Sequence, residues 1–191
     1  MRNLLLALWF MALLLTPGRV IGSTVLNVNT SLETDNLAPY NVPDAWIPIK
    51  DTMLNGSGMS TAQVHSGSYS FAIESDGDFD QEGLYQPCSV SACHGSANDV
   101  ITVSGYSYAD DAGIGSGDNV LYELFVWIIW NDDSAHSSGV NFDKLASGWQ
   151  YKTVSLTAGQ DYKALRIGVY FSSYGGQGLG PVYFDDLVLS R

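Results

Sequence analysis

VYFDDLVLS, residues 182–190, is the stretch whose reading decides the fold. Aromatic and β-branched residues make it a strand, yet two adjacent acids, Asp185 and Asp186, interrupt it. Successive side chains of a strand point to opposite faces. One of two neighbours must therefore face the interior of a half-buried sheet, where an ionised carboxylate is costly unless something pairs with it. By alternation Asp185 falls with Tyr183, Leu187 and Leu189, and Asp186 with Val182, Phe184 and Val188. If the leucines face the core, Asp185 is the inward residue. The alternative is an acidic strand edge that discourages edge-to-edge pairing.

Upstream, the same texture repeats. Short runs rich in Val, Ile, Tyr and Trp alternate with Gly, Asn, Asp and Ser clusters, and helical periodicity is almost absent. The strand candidates are STVLNV, GMSTAQV, YSFAIES, GLYQP, DVITVSGYSY, NVLYELFVWIIW, WQYKTVSL, ALRIGVYF and PVYFDDLVLS. Turn signals such as SDGD, DDAGIGSGDN, NDDSAHSSG and SYGGQGLG separate them. This pattern predicts an all-β, two-sheet antiparallel β-sandwich. No repeat or composition shift marks a second domain.

The first residues stand apart. MRN, the apolar run LLLALWFMALLL and the small-residue exit TPGRVIGS read as a secretory signal peptide over 1–22, cleaved after Gly22 or Ser23. The run is short for a membrane anchor. The expected product is a single domain over 23–191, secreted to the extracellular space or the periplasm, with no membrane insertion after cleavage. Losing Arg2 and Arg19 with the signal leaves 20 acidic residues against the rest of the 8 basic ones. That balance argues against nucleic acid, whose phosphates need a basic patch, and against anionic membrane surfaces. Cys88 and Cys93 are the 2 cysteines, expected to form one local disulfide. A zinc site wants four ligands, and only His94 lies near them.

Alternation assigns faces within strands. In ALRIGVYF, Leu165, Ile167, Val169 and Phe171 share the core side, with Arg166, Gly168 and Tyr170 opposite. In DVITVSGYSY, Ile101, Val103 and Gly105 oppose Thr102, Ser104, Tyr106 and Tyr108. In the long strand, Tyr122, Leu124, Val126 and Ile128 are left for the core, and Glu123, Phe125 and Trp127 share the other side. The non-core faces then carry Tyr106, Tyr108, Glu123, Trp127, Arg166 and Tyr170. Aromatic rings with a few polar groups suit the apolar faces and hydroxyls of sugars. Glu123 and Arg166 are expected to pair there.

Four segments, in order, resemble a known family. VLNVNTSLE (25–33) is similar to an N-x-[SG]-F-E opening, with Leu32 in place of the usual Phe. HSGSYSFAI (65–73) resembles H-x-G-x-x-S-L. SGWQYKTVSLTA (147–158) resembles the W-x-x-x-[ST] strand before a C-terminal hairpin, and VYFDDLVLS resembles an F-D-D-V-x-L ending. Together they resemble secreted carbohydrate-binding modules of the cellulose- and xylan-binding type, with a galactose-binding-like jelly-roll fold. The resemblance implies non-catalytic binding of a polysaccharide or oligosaccharide, in a groove on the concave face of the central strands. It implies a structural Ca2+ between first and last strands, held by Glu33, Asp185 and carbonyls around Asn29 and Gly67; calcium takes several oxygen ligands. Trp46 matches a loop Trp that flanks the groove or caps the sandwich.

Two other readings follow from the same residues. Jelly rolls also serve as glycoside hydrolases and lyases, which need placed carboxylates. The E-x-D-x-x-E, R-[ST]-E-L, Q-[IV]-H and G-x-S-x-G signatures are absent, however. The acid pairs Asp110–Asp111 and Asp132–Asp133 sit in turns, and His65, His94 and His136 are dispersed. The other reading is an exported structural or adhesion protein that uses the sandwich for protein contacts. Sequons occur at Asn29 and Asn55.

Overall fold

A computed structural model describes residues 23–34, 41–49, 56–75, 77, 82–110, 112–174 and 180–191. The expected signal segment 1–22, Asp111 and Asn55 lie outside them. Strands are β1 (Ile47–Ile49), β2 (Gly58–Ser60), β3 (Ser70–Ile73), β4 (Gly83–Cys88), β5 (Val100–Tyr108), β6 (Asn119–Trp130), β7 (Ala135–Asn141), β8 (Gln150–Thr157), β9 (Tyr162–Tyr174) and β10 (Val182–Ser190). They form two antiparallel five-stranded sheets, β1-β4-β9-β6-β7 and β2-β3-β10-β5-β8. Each sheet hides one face against the other, as a sandwich requires.

Alternation sets the core as expected. Leu165, Ile167, Val169 and Phe171 of β9 and Leu124, Val126 and Ile128 of β6 are fully buried, and Ile101 and Val103 of β5 meet them from the second sheet. Burying one such side chain contributes about 1.5–3 kcal/mol. Ser107 and Tyr122 carry hydroxyls into this interior. They bond to each other at 2.5 Å, and Ser107 Oγ also donates to the Tyr183 carbonyl at 2.7 Å. Burial pushes the Tyr122 phenol well above its usual range.

Two strands fall outside the sequence expectation. β7, AHSSGVN, pairs only with β6 and is largely exposed, so it has no buried side to write an apolar alternation. β1 is three residues with Pro48 in the middle, at a sheet edge. Conversely STVLNV is not a strand, and only Val25 bridges to Ser190.

The terminal strand resolves its two acids through a bulge. Register with β5 shifts between Asp185 and Val188, and Asp186 adopts φ 50°, the left-handed region typical of a bulge. Val182 and Phe184 face the core before the shift, and Leu187 and Leu189 face it afterwards. The leucines are therefore inside as expected, but Asp185 is not on their side. The extra residue reverses the alternation and leaves both carboxylates on the outer face, where Asp185 is covered by residues 65–66.

Beyond the bulge the N-terminal segment lies along β10. Leu26 N–H donates to the Leu189 carbonyl and Leu187 N–H to the Thr30 carbonyl, at 2.8 and 2.7 Å. Buried Asn27 acts as a piece of backbone: its amide donates to the Leu187 carbonyl and its oxygen accepts from Leu189 N–H, both at 2.7 Å. Cys88 and Cys93 form the expected disulfide, with Cα atoms 5.8 Å apart.

Candidate functional site

Pairing across β4, β9, β6 and β7 lays the outward residues of the first sheet in rows. One row runs Gly83, Tyr170, Glu123, Asn141; the next Tyr85, Gly168, Phe125, Gly139; the next Pro87, Arg166, Trp127, Ser137. The glycines let larger neighbours lie flat. A Cβ on Gly168 would fall 2.2 Å from Phe125 Cζ, and one on Gly139 would collide with the Glu123 carboxylate.

Phe125 and Tyr170 stack with centroids 4.4 Å apart and are only 4% and 8% exposed. They make a floor. Trp127 continues it, 5.8 Å from Phe125. Arg166 lies between two rings, its guanidinium carbon 5.5 Å from the Tyr85 centroid and 5.6 Å from that of Trp127, within cation–π range. With Ile49 these residues enclose a pocket of about 190 Å3. Arg166 also borders a neighbouring cleft of about 520 Å3, lined among others by Ser89, His94, Ile129, Asp133 and Lys163.

Burial pushes the Glu123 carboxyl above its ordinary value. The Tyr170 phenol is raised as well, first by burial and then by the charge of Glu123, with Arg166 pulling the other way. Glu123 and Arg166 do not pair as expected. They stand opposite Tyr170 and Trp127 respectively, four residues apart along the strands, or roughly 13 Å.

Of the expected ligand residues, this face gathers Glu123, Trp127, Arg166 and Tyr170. Tyr106 and Tyr108 lie elsewhere. Their strand β5 belongs to the second sheet, and the outer faces of the two sheets point away from each other. Alternation tells which side of its own sheet a residue takes but not which sheet the strand joins. There Tyr106 stacks on His65 with centroids 3.6 Å apart and packs against Tyr151, while Tyr108 packs against Trp149 and Tyr183. Trp46 is buried, 4% exposed, and its indole N–H donates to the Asn29 carbonyl at 3.2 Å. It caps the sandwich instead of flanking a groove.

The positions expected to hold calcium meet at the loop 65–69. Asp185, fully buried, accepts His65 N–H at 2.9 Å and Ser66 N–H at 3.1 Å on Oδ2, and Asp186 N–H at 2.7 Å on Oδ1. Glu33 accepts Ser68 N–H on both oxygens and Tyr69 N–H on one. A Cβ on Gly67 would fall 2.2 Å from Glu33 Oε1. The Asn29 carbonyl accepts Leu32 N–H as well as the Trp46 indole. A carboxylate offers about four lone-pair directions, so N–H donors occupy most of those on Asp185 and Glu33. Among the described residues, no group of three or more His, Cys, Asp or Glu could hold a metal. Burial, its largest cause, pushes the Asp185 carboxyl up to about 6. Asp186, beside it, bonds to His65 Nδ1 at 2.7 Å and Ser66 Oγ at 2.8 Å.

Phe125, Tyr85 and Ile49 were not among the expected site residues. Phe125 had a signal, since alternation puts it on the side of Glu123 and Trp127. Tyr85 and Ile49 had none, because their neighbours come from pairing with β9 and β4.

No protein-family model matches the chain, and no curated protein matches it. Solved structures do share its fold. A Family 16 Carbohydrate Binding Module-2 superposes with TM-score 0.57 at 15% identity, covering 87% of this chain and 99% of that one. The CBM22-1 xylan-binding domain of Paenibacillus barcinonensis Xyn10C gives 0.53 at 14%, covering 87% and 94%. A Stig cyclase, Fisc, from Fischerella sp. TAU, in complex with an indole compound, gives 0.61 at 16%, covering 88% and 98%. At these identities the likeness is one of fold, which serves both binding modules and an enzyme. No helix among the described residues is long and apolar enough to cross a membrane.

Proposed function

We propose that this chain is a secreted, non-catalytic carbohydrate-binding module whose ligand surface is the outer face of the sheet β1-β4-β9-β6-β7. One observation carries the reading: a stacked aromatic floor, Phe125 and Tyr170, lies beside Trp127, Tyr85 and an aromatic-flanked Arg166 in an open pocket. Flat rings accept the apolar face of a pyranose, and a fork of N–H donors fixes its oxygens. The fold shared with carbohydrate-binding modules supports the same reading. The test is retention on a broad panel of soluble and insoluble glycans, with Trp127→Ala as control. Retention lost in the variant supports the reading, and no retention of the wild type sinks it. Secretion is tested by sequencing the N-terminus of the exported chain, expected at Ser23 or Thr24.

Calcium at the loop 65–69 is a separate proposal, supported by the convergence of Glu33 and Asp185 on one short segment. A cation there would be held by the lone pairs these carboxylates have left over. It would add to a corner already closed by hydrogen bonds, so the folded state does not depend on it.

A second reading, catalysis, is favoured by Glu123, a half-buried carboxyl raised by burial beside Tyr170. Glycoside hydrolysis ordinarily needs two carboxyl groups, and among the described residues none, Glu123 included, lines the aromatic pocket. Turnover of a panel member, abolished in Glu123→Gln, would replace the binding reading with this one.

A further inference from the structure

Arg166 is a charge without a counter-charge. Among the described residues its guanidinium makes no hydrogen bond and no ion pair, and its neighbours are the rings of Tyr85 and Trp127. Stacking satisfies the flat faces of a guanidinium and leaves the N–H edge free. That edge matches a carboxylate in two parallel bonds. Lys163, which lines the adjoining cleft, is already paired with Asp133 at 2.5 Å.

We propose, building on the carbohydrate reading, that the ligand is a neutral glycan carrying an isolated uronic acid. Its carboxylate takes the edge of Arg166 while a sugar ring rests against the half-exposed rings of Trp127 and Tyr85, above the buried Phe125. Charge balance favours one carboxylate over many. The chain carries a net charge of −12, which repels a polyanion over about a Debye length, ~8 Å at physiological salt, whereas Arg166, the one cation lining the pocket among the described residues, suits one acid. Size agrees as well. A pocket of about 190 Å3 lies below the roughly 300–1,000 Å3 of drug-sized sites, and suits one ring instead of a chain segment. Arg166 stands on the wall shared with the larger cleft, which gives the neutral remainder a continuous path.

The experiment is calorimetric titration of the full chain with three probes. They are a xylo-oligosaccharide bearing a single glucuronate branch, the same compound with its carboxyl reduced to the alcohol, and an oligogalacturonate. The branched acid should bind at least about tenfold tighter than its reduced form, the scale of a charge-assisted pair. Arg166→Gln should bind the two equally, and Arg166→Lys should recover part of the preference. Equal binding of acid and reduced forms by the wild type overturns the inference and leaves the carbohydrate reading standing. Tightest binding of the oligogalacturonate overturns the isolated-acid form of it. Binding of none of the three overturns it too, and the wider panel then reports on the carbohydrate reading by itself. The comparison of probes on the wild type needs no variant to fold.

Discussion

The carboxylate of Asp185 accepts the backbone N–H of His65 at 2.9 Å, across 120 residues of chain. With Ser66 N–H on the same oxygen, it ties the loop 65–69 to the terminal strand. Its burial has a consequence in pH. The folded carboxyl titrates at about 6, up from 3.8, so the folded state binds the proton more tightly than the unfolded chain. The stability this proton contributes is present in full below about pH 4 and is lost as pH rises through about 6, on the order of 2–3 kcal/mol. The melting temperature should fall from this group between pH 4 and 6. Asp185→Asn should flatten that segment of the profile. An unchanged profile in the variant would show that Asp185 is not the group titrating.

Calcium inverts the sign. A cation beside Asp185 favours the ionised carboxyl, so in excess calcium the wild type should gain stability as pH rises through the same window. In chelator the chain should remain folded. Added calcium should raise the midpoint by mass action, and a midpoint indifferent to calcium at pH 7 would argue against the site.

Asn27 spans Leu187 and Leu189 with both ends of its amide. Asn27→Ala leaves a buried carbonyl and a buried N–H without partners, which costs about 1–3 kcal/mol each at most. Denaturant unfolding should show the loss with little change in slope, because the surface exposed on unfolding is nearly the same.

Gly168 lies under Phe125, and a Cβ there would also come within 2.7 Å of the Leu84 carbonyl. Gly168→Val must therefore lift the ring or spread β4 from β9. It should cost about 1–3 kcal/mol and alter the near-ultraviolet circular dichroism. Trp127, by contrast, sits half-exposed at the pocket wall. Trp127→Ala should leave the midpoint within about 1 kcal/mol of the wild type and weaken glycan retention by ~2 kcal/mol or more, the scale of an aromatic anchor.

Much of the sandwich was legible because alternation is local. The core sides of β5, β6 and β9 follow from each strand alone, and each is where the sequence predicts it. Membership of a sheet is not local. Tyr106 and Tyr108 face outward as their strand predicts, but β5 lies between β10 and β8, so they front the opposite side from Trp127. A bulge is a further limit, since one inserted residue at Asp186 exchanges inside for outside without any change in composition. Trp46 shows a third, because a loop residue has no alternation to read. Phe125 was within reach, since alternation puts it on the side of Glu123 and Trp127.

Thr24 and Arg191 exchange backbone hydrogen bonds at 2.8 and 3.1 Å, which brings residue 24 and the last residue of β10's exit together. The described fold is in this sense nearly a closed ring, opened at one corner. A short linker from 191 to 24 should let the ring be cut elsewhere, for instance at the exposed turn 131–134 between β6 and β7, with both sheets kept intact. A circular permutant of that design would carry its new ends at the tips of β6 and the edge strand β7 and leave the old corner seamless.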